Sequence, residues 1–265
     1  MATYAFSDVH GHRAPLDRLL ERVSPSDEDR IFMLGDMVDR GPDPVGVLKT
    51  CRSLGNAQVL MGNHEDLMMS YYRDTDPFAS LNWGINGSGP TIEGLEKLPA
   101  GERQDLLDWV FNLPLCAICQ VGERPYVLVH AGILPKGPQP PQALTPEGLG
   151  AFMADQAPED LLWIRQEFWG QPTGLVNDRG EGAVVIAGHT PTVYLEGMAD
   201  RMDRSPLDEE GLCRQVHVGA SDATGGVADR WDIDAGAAGG HGFGQVSMVR
   251  LDDGQEFYEH IDEGE

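Results

Sequence analysis

Short apolar runs alternate with amphipathic stretches along the first third of the chain, and the alternation predicts its fold. TYAFS (3–7), RIFML (30–34) and QVLM (58–61) have the length and composition of strands. Between the first two, Leu16, Leu19, Leu20 and Val23 recur at helical spacing, and Pro15 sits in a first turn where its missing N–H is tolerated. Residues 44–54 predict a second helix, and a third begins near His64 and runs toward Tyr72. This βαβαβ order implies parallel strands joined by helical crossovers.

Further along, CAICQV (116–121) and YVLVH (126–130) read as two strands of a hairpin turning at GERP, and AVVIAG (183–188) as another strand. RQVHV, RWDID, QVSMVRL and EFYEH are short alternating runs separated by turn residues, which predicts antiparallel strands and a second sheet. Residues 134–146, containing PKGPQPPQ, and residues 195–226, rich in Asp, Glu and Gly, fit no element; loops of that length often border a site. No internal repeat is evident, and one domain over residues 1–265 is expected.

Composition narrows the function classes. With 265 residues, 41% of them hydrophobic, the chain can bury one large core or two small ones. MATYAFSDVHGHR has neither a basic start nor a long apolar stretch, and no later run approaches membrane-spanning length, so a soluble, cytoplasmic protein with no membrane partner is expected. A formal charge of -24 disfavours nucleic acid as a partner and suits a protein that gathers cations. Cys116 and Cys119 have CxxC spacing but lie in an apolar run with no second pair, so buried, reduced thiols are expected.

The chemistry sits immediately after the strands. Asp8 and His10 follow the first, Gly35 and Asp36 the second, and Gly62, Asn63, His64 and Glu65 the third; His130 and His189 end or follow later runs. Such turns gather at the carboxyl ends of parallel strands, on one edge of a sheet. Taken singly, Asp8 reads as a helix cap, Asn63 as a turn residue and each histidine as structural. Together, Asp8, His10, Asp36, Asn63, His130 and His189 form a mixed oxygen and nitrogen set suited to manganese, iron or zinc. Six ligands exceed one ion's needs, and a bridging carboxylate would let two ions sit about 3.5 to 4 Å apart.

DVHG (8–11), GDMVDRG (35–41), GNHE (62–65), HAG (130–132) and GHTP (188–191) together resemble the phosphoprotein phosphatase type of metallophosphoesterase, in particular the bacterial and phage serine/threonine protein phosphatases. The resemblance implies an α/β sandwich of the calcineurin-like kind, two mixed β-sheets flanked by helices. It implies two divalent metal ions, manganese first, with iron or zinc as alternatives. Asp8, His10 and Asp36 would hold one and Asp36, Asn63, His130 and His189 the other. In the same likeness Arg40 presents its guanidinium to phosphate, Asp39 bonds His64, and His64 protonates the leaving alkoxide while a metal-bound hydroxide attacks in line. A second phosphate arginine is implied: LLWIRQEF (161–168) points to Arg165 and NDRG (177–180) to Arg179, with Arg165 preferred. WGINGSGPT (83–91) resembles a stretch near the active site of bacterial relatives, which makes Asn86 a candidate substrate contact.

The expectation is a phosphomonoesterase acting on a phosphoprotein or phosphopeptide, with small phosphoesters as further substrates. The nearest alternative is a symmetrical dinucleoside tetraphosphate hydrolase of the same superfamily. That branch carries alanine where this chain has Asp39 and aspartate where it has Glu65, and both differences favour the protein phosphatase. A non-catalytic metal-binding scaffold would have lost His64 or Arg40, and both are present. GGHGFG (239–244) has glycines at dinucleotide-loop spacing but precedes a strand-like run, so it reads as a turn; His12, His217, His241 and His260 are not expected to be ligands.

Overall fold

In the computed structural model, which describes residues 1–135, 141 and 144–265, β1 (Thr3–Phe6), α1 (Arg13–Val23), β2 (Arg30–Met33), α2 (Pro44–Ser53), β3 (Ala57–Val59) and α3 (Asn63–Arg73) follow in the expected order. β1, β2 and β3 are parallel, with Ala5 opposite Phe32 and Phe32 opposite Gln58. α2 starts where the sequence signals a start: the Asp43 side chain accepts from the Gly46 N–H at 2.8 Å, and Pro44 occupies the first turn.

Three helices that the periodicity did not reveal come next, α4 (Ala79–Ile85), α5 (Gly89–Glu96) and α6 (Ala100–Val110). β4 (Cys116–Val121) and β5 (Arg124–Val129) then form the hairpin around Gly122 and Glu123. α7 (Pro146–Ala154), α8 (Pro158–Trp163) and α9 (Gln166–Trp169) lead to β6 (Val184–Ala187), β7 (Val216–Val218), β8 (Arg230–Asp232), β9 (Gln245–Arg250) and β10 (Gln255–His260). β7 realises the strand predicted in RQVHV, and residues 195–226 otherwise hold more structure than expected, including part of a 3-10 turn over Thr192–Gly197 and a bridge between Leu207 and Cys213. Residues 136–140 and 142–143 of the proline-rich segment lie outside the described residues.

The two sheets are ordered β10-β9-β1-β2-β3 and β4-β5-β6-β8-β7. The C-terminal strands therefore do not make a sheet of their own. β9 pairs antiparallel with β1, Ala5 opposite Val249, while β8 runs parallel to β6, Ile186 opposite Trp231. Both sheets are mixed, and they pack face to face over Ala5, Phe32, Leu34 and Leu60 from one and Leu128, Val184 and Ile186 from the other. Leu16, Leu19, Leu48 and Trp83 cover the outer face of the first sheet, and Phe152, Leu161, Phe168 and Trp169 that of the second. The result is the four-layer α/β sandwich the sequence predicts.

Two consequences matter for function. Cys119 points into the layer between the sheets and Cys116, an odd number of residues away, packs against the opposite side, so they do not share a site. The strands that carry the candidate residues belong to both sheets, which corrects the expectation of one shared edge: β1, β2 and β3 end at the seam from one side, β5, β6 and β8 from the other. Among the described residues, no helix is long and apolar enough to cross a membrane.

Candidate metal centre

The turns that follow the strands are held in a conformation that side chains ordinarily avoid. Eight described non-glycine residues have positive φ; Ser24 and Asp74 end helices, and the other six are Asp8, His10, Asp36, Asp39, Arg40 and His189. Left-handed backbone at a non-glycine residue costs about 1 to 3 kcal/mol and persists only where the surroundings impose it. Glu65 supplies much of that constraint. Its buried carboxylate accepts from the N–H groups of Asp36, Met37 and Gly62, each at 2.8 Å, and so ties the second turn to the third. Gly35, at φ +90°, lets those turns meet, because a Cβ there would collide with the backbone of Gly62.

Asp36 stands between two groups of nitrogen and oxygen atoms. Its Oδ2 lies 3.4 Å from His10 Nε2 and its Oδ1 3.4 Å from His130 Nε2. His10 donates from Nδ1 to the Val38 carbonyl at 3.0 Å and His130 from Nδ1 to the Leu34 carbonyl at 2.8 Å, which leaves each Nε2 bare and aimed at Asp36. On the His130 side, Asn63 Oδ1 is 2.8 Å from both His130 Nε2 and His189 Nδ1, and those nitrogens are 3.2 Å apart. Asp36, His130 and His189 can therefore surround one ion, and Asp36 and His10, with His64 close by, another. Asp8 is drawn in from β1: its Oδ2 accepts from the His189 N–H at 3.0 Å, and its Oδ1 has no partner among the described residues.

The electrostatics fit a cation. Burial lowers the pKa of His10 and of His189 well below the usual value, so both are neutral, as ligands must be. Burial raises that of Asp8, helped by Asp234, and raises Asp232 as well. Burial would raise Asp36 too, but the histidines beside it, His130 and His64 first, more than reverse the effect. Asp8 Oδ1 and Asp232 Oδ2, buried and without partners among the described residues, lie among carboxylates that resist ionisation, a donor set short of positive charge. Divalent metal fits it.

The remaining candidates fall around this centre. His64 Nδ1 lies 2.6 Å from Asp39 Oδ2, and its Nε2 lies 3.0 Å from Arg40 Nη2. Burial works against the imidazolium, but Asp36 and Asp39 outweigh it and the His64 pKa is raised. Arg165, the residue before α9, lines the same cavity as Arg40 and His189. Arg179 does not line it; it is 74% exposed and pairs with Glu181 at 2.9 Å. The Asn86 amide donates to the Asn82 carbonyl at 2.8 Å, and it is the adjacent Gly87 carbonyl that accepts from the Arg40 N–H, at 3.0 Å. His12, His217, His241 and His260 belong to neither group of ligand atoms.

Sequence reasoning missed three carboxylates. Glu65 is legible only within GNHE and in the comparison with the tetraphosphatase branch, and Asp232 and Asp234 lie in RWDID, which the alternation predicts as an antiparallel strand. They are buried because β8 is parallel to β6 and ends at the seam.

A model of the calcineurin-like phosphoesterase family matches residues 1–219. The symmetrical bis(5'-nucleosyl)-tetraphosphatase of Dechloromonas aromatica (strain RCB) is 37% identical over 139 residues, 51% of this chain and 45% of that protein. The protein of the same name from Acidovorax sp. (strain JS42) is 34% identical over 140 residues, 51% of this chain and 46% of the other. The chain thus spans about half the length of the curated relatives it matches. Among solved structures, one provisionally named a diadenosine tetraphosphatase aligns at TM-score 0.59 and 19% identity, covering 99% of this chain and 94% of that one. A serine/threonine phosphatase from Saccharomyces cerevisiae, with similarity to human phosphatase PP5, aligns at TM-score 0.56 and 15% identity, covering 99% and 81%. At these identities both show the shared fold.

Proposed function

The chain belongs to the calcineurin-like phosphoesterase family, and on that premise we propose that it hydrolyses dinucleoside tetraphosphates at a centre of two divalent cations of the manganese class. The observation that carries the hydrolase reading is the position of Asp36, whose two oxygens face different groups of ligand atoms beside a cavity flanked by Arg40 and Arg165. Asp8, His10 and Asp36 would hold one cation, and Asp36, Asn63, His130 and His189 the other. Bound there, the pair supplies positive charge to the phosphoryl oxygens and acidifies water.

The protein's own side chains supply the rest of the reaction. Arg40 and Arg165 donate to the phosphate oxygens and fix the substrate's orientation. With Arg40 so engaged, His64 Nε2 is free to take up a proton, which Asp36 and Asp39 favour, and to give it to the departing oxygen. One water is consumed, the central P–O–P link breaks, and two nucleoside diphosphates leave. The names and identities of the curated relatives support this substrate over the phosphoprotein that the sequence motifs put first.

Asp39 favours that second reading, a phosphoprotein phosphatase. A carboxylate-backed imidazole is most useful where the leaving group is an alkoxide, far more basic than a departing diphosphate. Phosphate release from a phosphoserine peptide and nucleotide release from diadenosine tetraphosphate, measured side by side with manganese-loaded protein and with Asp36→Asn as the blank, separate the two. Faster nucleotide turnover with ADP as the sole nucleotide product is expected; faster peptide turnover would overturn the substrate assignment and keep the centre.

A further inference from the structure

A cavity of about 390 Å³ opens beside Arg40, Arg165 and His189, a size suited to a small organic ligand and larger than a bare phosphate requires. Besides the arginines its lining includes Pro191, Tyr194, Met198, Ala238 and Phe243, none of them charged. Two segments with no part in the metal centre deliver the aromatic rings. Tyr194 lies in the 3-10 turn over Thr192–Gly197, which buried Leu195 anchors, yet Tyr194 itself is 60% exposed. Phe243 comes from the GGHGFG turn. A Cβ on Gly239 would collide with its ring, so the ring rests against glycine backbone, and its carbonyl accepts from the Cys213 N–H at 2.9 Å. Phe243 also lies beyond the span matched by the family model.

We propose that Tyr194 and Phe243 line a nucleobase site, in which the purine of a nucleotide substrate stacks while its phosphates reach Arg40 and Arg165. The inference rests on the dinucleoside tetraphosphate reading above and names the part of that substrate the cleft takes. A base offers a flat π face that aromatic side chains bind without hydrogen-bond partners. A phosphopeptide offers main-chain groups that need such partners, and the uncharged side chains of the lining provide few. Guanidinium groups and aromatic rings lining one cavity match the phosphates and the base of a nucleotide.

The test is competition by ADP and by methyl diphosphate, which lacks base and sugar, against phosphate release from p-nitrophenyl phosphate by the manganese-loaded protein. The quantity read is the ratio of the two inhibition constants. In the unaltered protein ADP should bind roughly five- to a hundredfold more tightly than methyl diphosphate, the range expected for stacking of one base. Tyr194→Ala should collapse most of that ratio, Phe243→Leu part of it, and Tyr194→Phe should retain it. A ratio near one, or one that Tyr194→Ala leaves intact, overturns the site. A ratio near one in a protein that cleaves diadenosine tetraphosphate removes the base site and leaves the substrate reading standing. A high, Tyr194-dependent ratio in a protein that does not cleave it does the reverse.

Discussion

His64 Nδ1 lies 2.6 Å from Asp39 Oδ2, with both side chains buried, and the aspartate is held from two further directions. Trp83 Nε1 donates to the same oxygen at 2.9 Å, and the Thr91 hydroxyl donates to Oδ1 at 2.6 Å. If His64 is the proton donor, its value depends on the leaving group. His64→Asn should slow phosphoserine hydrolysis roughly a hundredfold or more, and p-nitrophenyl phosphate far less, because nitrophenolate leaves without a proton. Steady-state kinetics with both substrates checks this, and equal losses would remove the role. Trp83→Phe should cost about 1 to 3 kcal/mol of stability, through the lost bond to a charged acceptor, with a smaller kinetic effect than Asp39→Asn.

Metal affinity should rise with pH. Without metal, burial pushes Asp234 up to about 7 and Asp8 well above its usual range, whereas it holds His10 and His189 well below the usual histidine range. A carboxyl group whose folded pKa is raised opposes the metal-free fold most once pH exceeds that pKa, and opposes it least below the unfolded value near 3.8. A cation relieves the opposition and competes with the carboxyl protons. Manganese should therefore raise the unfolding temperature more at about pH 8 than at about pH 6. Equal shifts in thermal unfolding at the two pH values would contradict this.

Gly35→Ala should damage the centre through the backbone. The substitution places a Cβ at φ +90° against Gly62, adding about 1 to 3 kcal/mol of strain and pushing Asp36 from its place. Lower stability and weaker manganese binding are expected together. Gly55→Ala, where a Cβ would meet nothing within 4 Å, is the control and should change neither.

Arg165→Ala should lower kcat/KM by roughly tenfold or more, as expected for removal of one phosphate-binding guanidinium. Arg179→Ala should stay within about twofold, since an exposed pair such as that with Glu181 contributes about 0 to 1 kcal/mol. The reverse order would exchange their roles.

Much of this arrangement is legible in the chain because it is local. TYAFS, RIFML and QVLM carry strand signals, and each is followed at once by the residues its turn presents, from Asp8 to Asn63. What local pattern lacks is partnership. RWDID and QVSMVRL look alike in sequence, yet β8 joins β6 in one sheet and β9 joins β1 in the other, through pairings such as Ala5 with Val249 that no window of sequence contains. The same blindness hides Asp232 and Asp234, since acids at alternate positions mark a solvated face unless the strand is known to end at the seam. Trp83 escaped for another reason. Its apolar bulk explains its burial, and only the three-dimensional arrangement shows its N–H reaching Asp39.

Asp36, with one oxygen toward each group of ligand atoms, is proposed to join two cations. The most direct measurement is a count of manganese bound per chain, by atomic spectrometry after equilibrium dialysis, for the unaltered protein and for Asp36→Asn. Two ions per chain are expected in the first, and the loss of at least one in the second, together with turnover. A single ion in the unaltered protein, or two retained with full activity by Asp36→Asn, would contradict it.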